Sequence, residues 1–308
     1  MKPEMKLSSS LSEQHLPQKS SSSLPTQIDN LRIRYRQGVQ NPIGHEPAVP
    51  FGAPPFAVRQ NAQGNNFYSC GSSISVGNNR EGGTLGCLVR NAQGELCGLS
   101  NNHVSGSCSY APVGLPIVAP GIVDVVANGL PPFTLGFHSA ALTLVAGAPD
   151  NIQVSDNLDA AIFKIHTPGA ITSFQRTFYD TPVQTMPLAA GMLVEKVGRT
   201  TGQTVGSVVS QIYGPFPIPY ACHMYGFSGP VYFDPIFSIS GQADLFSDNG
   251  DSGSLITHVD AAGERFAVGI VVGGMTDGSA PGGKVTLALP IEPILQQLNV
   301  QLVGGHNV

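Results

Sequence analysis

Ser252 sits in the segment NGDSGSLI (Asn249–Ile256), flanked by Gly250, Gly253, a second serine, Ser254, and one aspartate, Asp251. A serine hydroxyl is a weak nucleophile at neutral pH. It attacks a carbonyl carbon only with a base in hydrogen-bond reach and a third group that holds the base in one tautomer. Two other positions supply such groups. His103 ends the apolar run GLSNNHV, where a turn would lift it out of a sheet. Asp159 opens LDAAIFKI (Leu158–Ile165), so a carboxylate stands at the edge of a buried run. Each residue also has a plainer reading: a polar turn for Ser252, a packed structural histidine for His103, a strand-edge turn residue for Asp159. Asp156 is a rival carboxylate nearby. His15, His45 and His306 lie in the tails, and His138, His166, His223 and His258 read as structural or surface groups.

Short strands must position these three side chains. TLGCLV and ELCGLS flank the turn NAQG (Asn91–Gly94) and predict a hairpin that leads into His103. Further short runs follow: Phe133–His138, Ala141–Val145, Leu158–Ile165, Gly191–Ile212, Val231–Ser240, Ser254–Val259, Phe266–Gly274 and Lys284–Leu289. Turn signals between them every 8–12 residues point to a β-sandwich or barrel. The exception is PIEPILQQLN (Pro290–Asn299), where Ile291, Ile294, Leu295 and Leu298 share one helical face and predict a short C-terminal helix on the last barrel.

Composition agrees with many turns and little helix. Glycine numbers 37 and proline 25 in 308 residues. Charged residues are 11%, against roughly 25% in an average globular domain, while 41% hydrophobic residues leave ample core material. With a net charge of -5 and no basic stripe interleaved with aromatics, nucleic acid is excluded as a partner. No run approaches the length of a membrane span, and the first residues lack the apolar stretch of a secretory signal. The five cysteines are odd in number and sparse, and match no zinc spacing. A cytoplasmic setting with reduced thiols is expected, without metal or cofactor. Cys87 and Cys97 flank the NAQG turn and read as two buried thiols rather than a bridge.

Residues 1–64 have a different texture. Residues 1–30 are serine-rich and polar and predict disorder. LRIRYR (Leu31–Arg36) alternates like an isolated strand, and PAVPFGAPPF (Pro47–Phe56) predicts an extended arm.

The order His103, Asp159, Ser252 is one of the three known chain orders of the triad. At this point the chain resembles a trypsin-like, chymotrypsin-fold serine protease of the bacterial type. LSNNHV resembles the histidine motif of HtrA-type proteases, LDAAIFKI their aspartate motif, and GDSGS the serine motif of the superfamily. GRTTGQTVGSV (Gly198–Val208) resembles the segment that opens the second barrel in α-lytic-type proteases. The resemblance spans residues 68–300. It implies two six-stranded antiparallel β-barrels, here residues 65–175 and 176–308, with a short C-terminal helix, a disordered N-terminal arm and the catalytic residues between the barrels.

The resemblance also implies roles. Ser252 is the nucleophile, His103 the base and Asp159 the orienting carboxylate, with the N–H groups of Gly250 and Ser252 as the oxyanion hole. Arg199 is expected to pair with Asp251 and hold the oxyanion loop. Phe246 is expected at the base of the primary substrate pocket, and Val272, Gly273 and Gly274 on the strand that pairs with substrate backbone. An apolar or small preferred residue follows, with Asp248 as the competing indication. The implied activity is a serine endopeptidase acting on protein or peptide. A catalytically silent protease-fold scaffold and a triad esterase stand as alternatives. The N-terminal arm reads as a self-inhibitory or partner-binding segment.

Overall fold

The structure, a computed structural model, describes residues 54–308. In the preceding arm it describes only the short strands Gln27–Ile28, Leu31–Arg32 and Val39–Gln40. Gln27–Ile28 pairs antiparallel with Leu31–Arg32, so the end of the segment expected to be disordered forms a strand and the strand expected at Leu31–Arg36 is not isolated. The disorder expected for residues 1–26 and the extended course of 47–53 lie outside the described residues.

The chain is almost entirely β, built on two large sheets. The first half contributes β1 (Asn66–Cys70), β2 (Ser73–Val76), β3 (Cys87–Asn91), β4 (Leu96–Ser100), β5 (Pro116–Ala119), β6 (Phe133–Ala141) and β7 (Ala161–Ile165). Six of them form an antiparallel half-barrel in the order β3-β4-β7-β6-β5-β2. The NAQG turn forms as its sequence demands. Gly94 adopts φ +79°, and Asn91 Oδ1 accepts the N–H groups of Gln93 and Glu95 at 3.1 and 2.9 Å. That pins the β3–β4 register, with Cys87 opposite Leu99 and Val89 opposite Cys97.

The second half contributes β8 (Leu193–Gly198), β9 (Gly202–Ile212), β10 (Phe216–Cys222), β11 (Phe227–Phe233), β12 (Ile236–Gly241), β13 (Leu255–Val259), β14 (Arg265–Thr276) and β15 (Lys284–Pro290). Six of these run β13-β8-β9-β12-β15-β14, and β13 also pairs with β14, so this barrel closes on itself. Closure removes the unpaired edges that an open sheet exposes. β10 and β11 stand apart as a hairpin.

Two short helices interrupt the β pattern. α1 (Asn102–Ser105) follows β4 directly and carries His103, where the sequence indicated only a turn. α2 (Ile291–Leu298) buries Ile291, Ile294 and Leu295 on the face the periodicity predicted, and Asn299 ends it in the left-handed region at φ +51°. The chain then returns to the first half. The final strand β16 (Val300–Val303) pairs with β3.

The halves therefore share an apolar core. Cys87, Val89 and Leu99 pack in one cluster with Ile218, Tyr220, Leu255, Ile270, Ile291 and Ile294. Each large aliphatic side chain buried there contributes about 1.5–3 kcal/mol. Within the expected 1–64 arm, Val58–Gln60 is not loose chain but a strand paired with Asn66–Tyr68. Further back, Val39–Gln40 pairs antiparallel with Met275–Thr276 at the end of β14.

Candidate active site

The residues around His103 are fixed first by two asparagines. Asn101 Nδ2 donates to the Asp159 carbonyl at 2.6 Å, and Asn102 Nδ2 donates to the Leu142 carbonyl at 2.7 Å. Both asparagines are fully buried. They clamp α1 to the segments beside β7, so the NNH sequence sets the place of the imidazole as well as its identity.

Asp159 is fully buried and spends both carboxylate oxygens on this junction. Oδ1 accepts the His103 backbone N–H at 3.0 Å, and Oδ2 accepts from His103 Nδ1 at 2.5 Å. Oδ2 also accepts the Tyr220 hydroxyl at 2.9 Å. Tyr220 comes from β10 and meets the His103 ring edge-on, with centroids 5.7 Å apart. Burial, followed by the charge of Asp159, pushes the Tyr220 hydroxyl well above the usual phenol range, so it remains a donor. With the proton fixed on Nδ1, Nε2 of His103 is left as the basic nitrogen. Asp156, the rival carboxylate, is exposed on a short 3-10 turn.

The Ser252 turn is seated against the same strand end. The Thr84 N–H donates to the Ser252 carbonyl at 2.9 Å, and Thr84 Oγ1 donates to the Gly250 carbonyl at 2.9 Å. Gly253 has φ +92°, and a Cβ there would lie 2.3 Å from Ser100 Oγ and 2.4 Å from the Thr84 carbonyl. Gly250, at φ +97°, bends the backbone ahead of Ser252. Within the turn, the N–H groups of Asp251, Gly253 and Ser254 are bonded to the carbonyls of Asp248, Val271 and Asp251. Among the described residues the N–H groups of Gly250 and Ser252 have no acceptor. Two unspent donors beside a hydroxyl are what a developing oxyanion requires. Ser252 Oγ itself makes no hydrogen bond to His103 among the described residues.

The expected Arg199–Asp251 ion pair is not formed. Asp251 is fully buried and pairs with Lys196 Nζ at 3.3 Å. Its carboxylate also accepts from the N–H groups of Thr200, Thr201 and Asp248 at 2.8, 3.2 and 3.0 Å, and from Thr201 Oγ1 at 2.6 Å. Burial alone would push the Asp251 carboxyl up, but the Lys196 charge and these donors hold it below its ordinary value. Burial lowers Lys196, with Asp251 opposing. Arg199 turns to Asp124 instead, with Nε 2.9 Å from Oδ2 and a second contact from Nη2 to Oδ1. The reason is local geometry. Lys196 lies within β8 on its buried face, whereas Arg199 follows the strand end and its side chain reaches the first half. The Arg199 backbone is linked to the Ser252 turn through Thr84, whose hydroxyl donates to the Gly250 carbonyl. Its N–H donates to Thr84 Oγ1 at 3.0 Å, and the neighbouring Thr200 Oγ1 donates to the Asn249 carbonyl at 2.7 Å. Arg176, buried at φ +49°, adds a tie between halves by donating to the carbonyls of Gly71 and Gly198 at 3.0 and 2.7 Å.

Of the expected substrate residues, Phe246 is buried in the core of the second barrel with Val208, Ile239 and Val271. The Asp248 carboxylate is paired with Lys284. Val272 is buried on β14, with Gly273 and Gly274 following half-buried. Tyr220 and Asp124 were not legible as site residues, since each joins the site from a distant segment and belongs to no short motif; Lys196 lies just before GRTTG, where Arg199 offered an equal charge. The paired asparagines before His103 were the one available local signal.

A groove of about 350 Å³ lies elsewhere, lined by Asp180–Gln184 with Glu264, Arg265, Gly304 and Gly305, and includes none of these residues. Among the described residues no helix is long and apolar enough to cross a membrane.

No protein-family model matches the chain, and no curated protein matches it. Among solved structures it is similar to Thermobifida fusca protease A, at 19% identity over 77% of this chain and 98% of that one, TM-score 0.46. It is also similar to Nocardiopsis protease, at 18% identity over 76% and 97%, TM-score 0.48. A glutamic-acid-specific serine protease matches at 17% identity over 76% and 100%, TM-score 0.48.

Proposed function

We propose that the protein is a serine endopeptidase. The reading rests on the Asp159–His103 contact, in which a fully buried carboxylate binds both the backbone N–H and Nδ1 of the histidine. That arrangement leaves Nε2 as the base. Ser252 Oγ bonds to the substrate carbonyl carbon while Nε2 takes its proton, and the carbonyl electron pair moves onto oxygen. The free N–H groups of Gly250 and Ser252 bind that oxyanion; one such donor is worth about 10²–10³ in rate. Collapse expels the amine, which takes the proton from His103 and leaves an acyl-enzyme. Water then repeats the sequence and restores Ser252.

The outward edge of Val272–Gly274 lies between the Ser252 turn, bonded at Val271, and the arm strand Val39–Gln40 at Met275. An extended substrate adds its backbone there as a further strand. Because Lys284 takes the Asp248 charge, an uncharged side chain is preferred over a basic one. Val39–Gln40 holds the far end of that edge, which supports the arm as a self-inhibitory segment. All five cysteines are unbridged and buried, which supports a reducing, cytoplasmic setting.

A fluorophosphonate probe tests the activity: it labels Ser252 in the folded protein and not in Ser252→Ala. A panel of peptides and esters separates peptidase from esterase, since turnover of esters alone defeats the peptidase reading. A silent scaffold is the second reading, and the observation in its favour is that Ser252 Oγ lacks a hydrogen bond to His103. Absence of labelling in folded protein would decide for it.

A further inference from the structure

The two unspent N–H groups beside Ser252 belong to the peptide units Asn249–Gly250 and Asp251–Ser252. A peptide unit is planar and trans, so its carbonyl points opposite to its N–H. Whatever holds the carbonyl therefore aims the N–H. The Asp251 carbonyl is held twice, by the Ser254 N–H at 3.0 Å and by Ser254 Oγ at 2.6 Å. The Gly250 and Ser252 carbonyls are held by Thr84 Oγ1 and by the Thr84 N–H, both at 2.9 Å. The Asn249 carbonyl has one donor among the described residues, Thr200 Oγ1 at 2.7 Å.

We propose that Thr200 is a positioning residue of the oxyanion hole: its hydroxyl fixes the Asn249–Gly250 peptide with the Gly250 N–H turned toward the substrate oxygen. This rests on Ser252 being the nucleophile and deepens that reading. Thr200 is fully buried, so water does not compete for its hydroxyl. A hydroxyl carries one proton, whereas a guanidinium can only donate. Arg199 Nη1 bonds to Thr200 Oγ1 at 3.1 Å. The oxygen is the acceptor there, and its single proton goes to the Asn249 carbonyl. The Thr200 N–H donates to Asp251 Oδ1 at 2.8 Å, which seats the residue against the turn it holds.

The backbone needs such a hold. Gly250 stands at φ +97°, and glycine takes either sign of φ at little steric cost. Turning the Asn249–Gly250 peptide over changes chiefly ψ of Asn249 and φ of Gly250, so the chain itself opposes that turn weakly. Turned over, the unit puts the Asn249 carbonyl where the Gly250 N–H stood, and the hole presents an acceptor to an oxyanion. The glycine that permits the bend thus leaves its orientation to an outside group. The neighbouring threonine is not available for this, since Thr201 Oγ1 donates to Asp251 Oδ2 at 2.6 Å. The support of the loop that the resemblance gave to Arg199 is divided: Lys196 balances Asp251, and Thr200 sets the peptide.

Thr200→Val in the full chain keeps the branched shape and the backbone N–H and removes only the hydroxyl. On a peptide substrate kcat is expected to fall at least tenfold, within the about 10²–10³ that one oxyanion donor supplies, with KM nearly unchanged. Thr200→Ser, which returns the hydroxyl, is expected to bring kcat back near the parent value. A crystal structure of Thr200→Val is expected to show the Asn249–Gly250 peptide turned over or divided between two orientations. That readout needs no activity. A parent without turnover defeats the peptidase reading, and the orientation of the peptide in the variant still decides whether Thr200 sets it. A peptide that keeps its single orientation without the hydroxyl overturns the proposal, as does an equal loss of kcat in Thr200→Val and Thr200→Ser. Thr200→Ala, also without the hydroxyl, serves in both measurements if Thr200→Val does not fold.

Discussion

The Tyr220 hydroxyl, from a hairpin outside both barrels, donates at 2.9 Å to the same Asp159 oxygen that accepts from His103 Nδ1. The carboxylate is thereby held from two sides, by the first half through His103 and by the second through Tyr220. Removing the hydroxyl alone leaves a buried carboxylate oxygen one donor short. For Tyr220→Phe, kcat is expected to fall about tenfold with KM nearly unchanged, the size of one hydrogen bond to a charged group. Steady-state kinetics on one peptide check this. An unchanged kcat would reduce Tyr220 to packing.

The Lys196–Asp251 pair carries a stability prediction. Lys196→Met leaves a fully buried carboxylate without its counter-charge, which costs about 3–5 kcal/mol in comparable sites. Urea unfolding at neutral pH measures it. Adding Asp251→Asn to that variant is expected to restore part of the loss, since the unpaired charge is then gone. If the double variant is weaker by the full sum of the single changes, the two groups are uncoupled.

Acid titration probes the same pair through its sign. The Asp251 carboxyl is held low in the folded protein. Its stabilising contribution is complete above the unfolded carboxylate value of about 3.9 and is lost as pH falls through the lower folded value. Stability of the parent is thus expected to drop over that acid window, and that of Asp251→Asn to drop less. Parallel curves from urea midpoints between neutral and strongly acid pH would contradict the assignment.

Arg199→Met strands Asp124 rather than Asp251. The expected result is a loss of about 3–5 kcal/mol in unfolding free energy, with fluorophosphonate labelling per folded molecule retained. Loss of labelling at unchanged stability would return Arg199 to direct support of the oxyanion loop.

Gly253→Ala places a Cβ 2.3 Å from Ser100 Oγ and 2.4 Å from the Thr84 carbonyl, at a φ of +92°. The Ser252 turn has to move away from the strand end that leads to His103. Labelling of Ser252 is expected to fall by at least tenfold, about 1.4 kcal/mol in barrier height. A control, Gly94→Ala in the exposed hairpin turn, is open on all sides and is expected to label normally.

The arm prediction is kinetic. A chain beginning at residue 54 lacks Val39–Gln40, which pairs with Met275–Thr276. Its kcat/KM on extended peptides is expected to exceed that of the full chain, and on a single-residue ester to equal it. Equal values on both substrates would remove the arm from the site.

Local chemistry was legible in the sequence because it is written in neighbouring residues. The NAQG turn needs an asparagine to cap and a glycine at positive φ, and both are adjacent. The α2 face needs apolar residues at helical spacing, and Ile291, Ile294 and Leu295 supply them. The same holds for the glycines near Ser252: Gly250 bends the backbone at positive φ, and at Gly253 close approach leaves no room for a Cβ. The choice of partners was decided only by the tertiary structure. Arg199 and Lys196 are three residues apart and equally charged, so no local pattern selects which one meets Asp251. Its place within β8 buries Lys196 toward Asp251, while Arg199, just past the strand end, reaches Asp124. Tyr220 likewise reaches Asp159 only because a hairpin folds across the junction between the halves. A buried charge takes the partner that the backbone brings within reach, and that distance is a property of the folded chain.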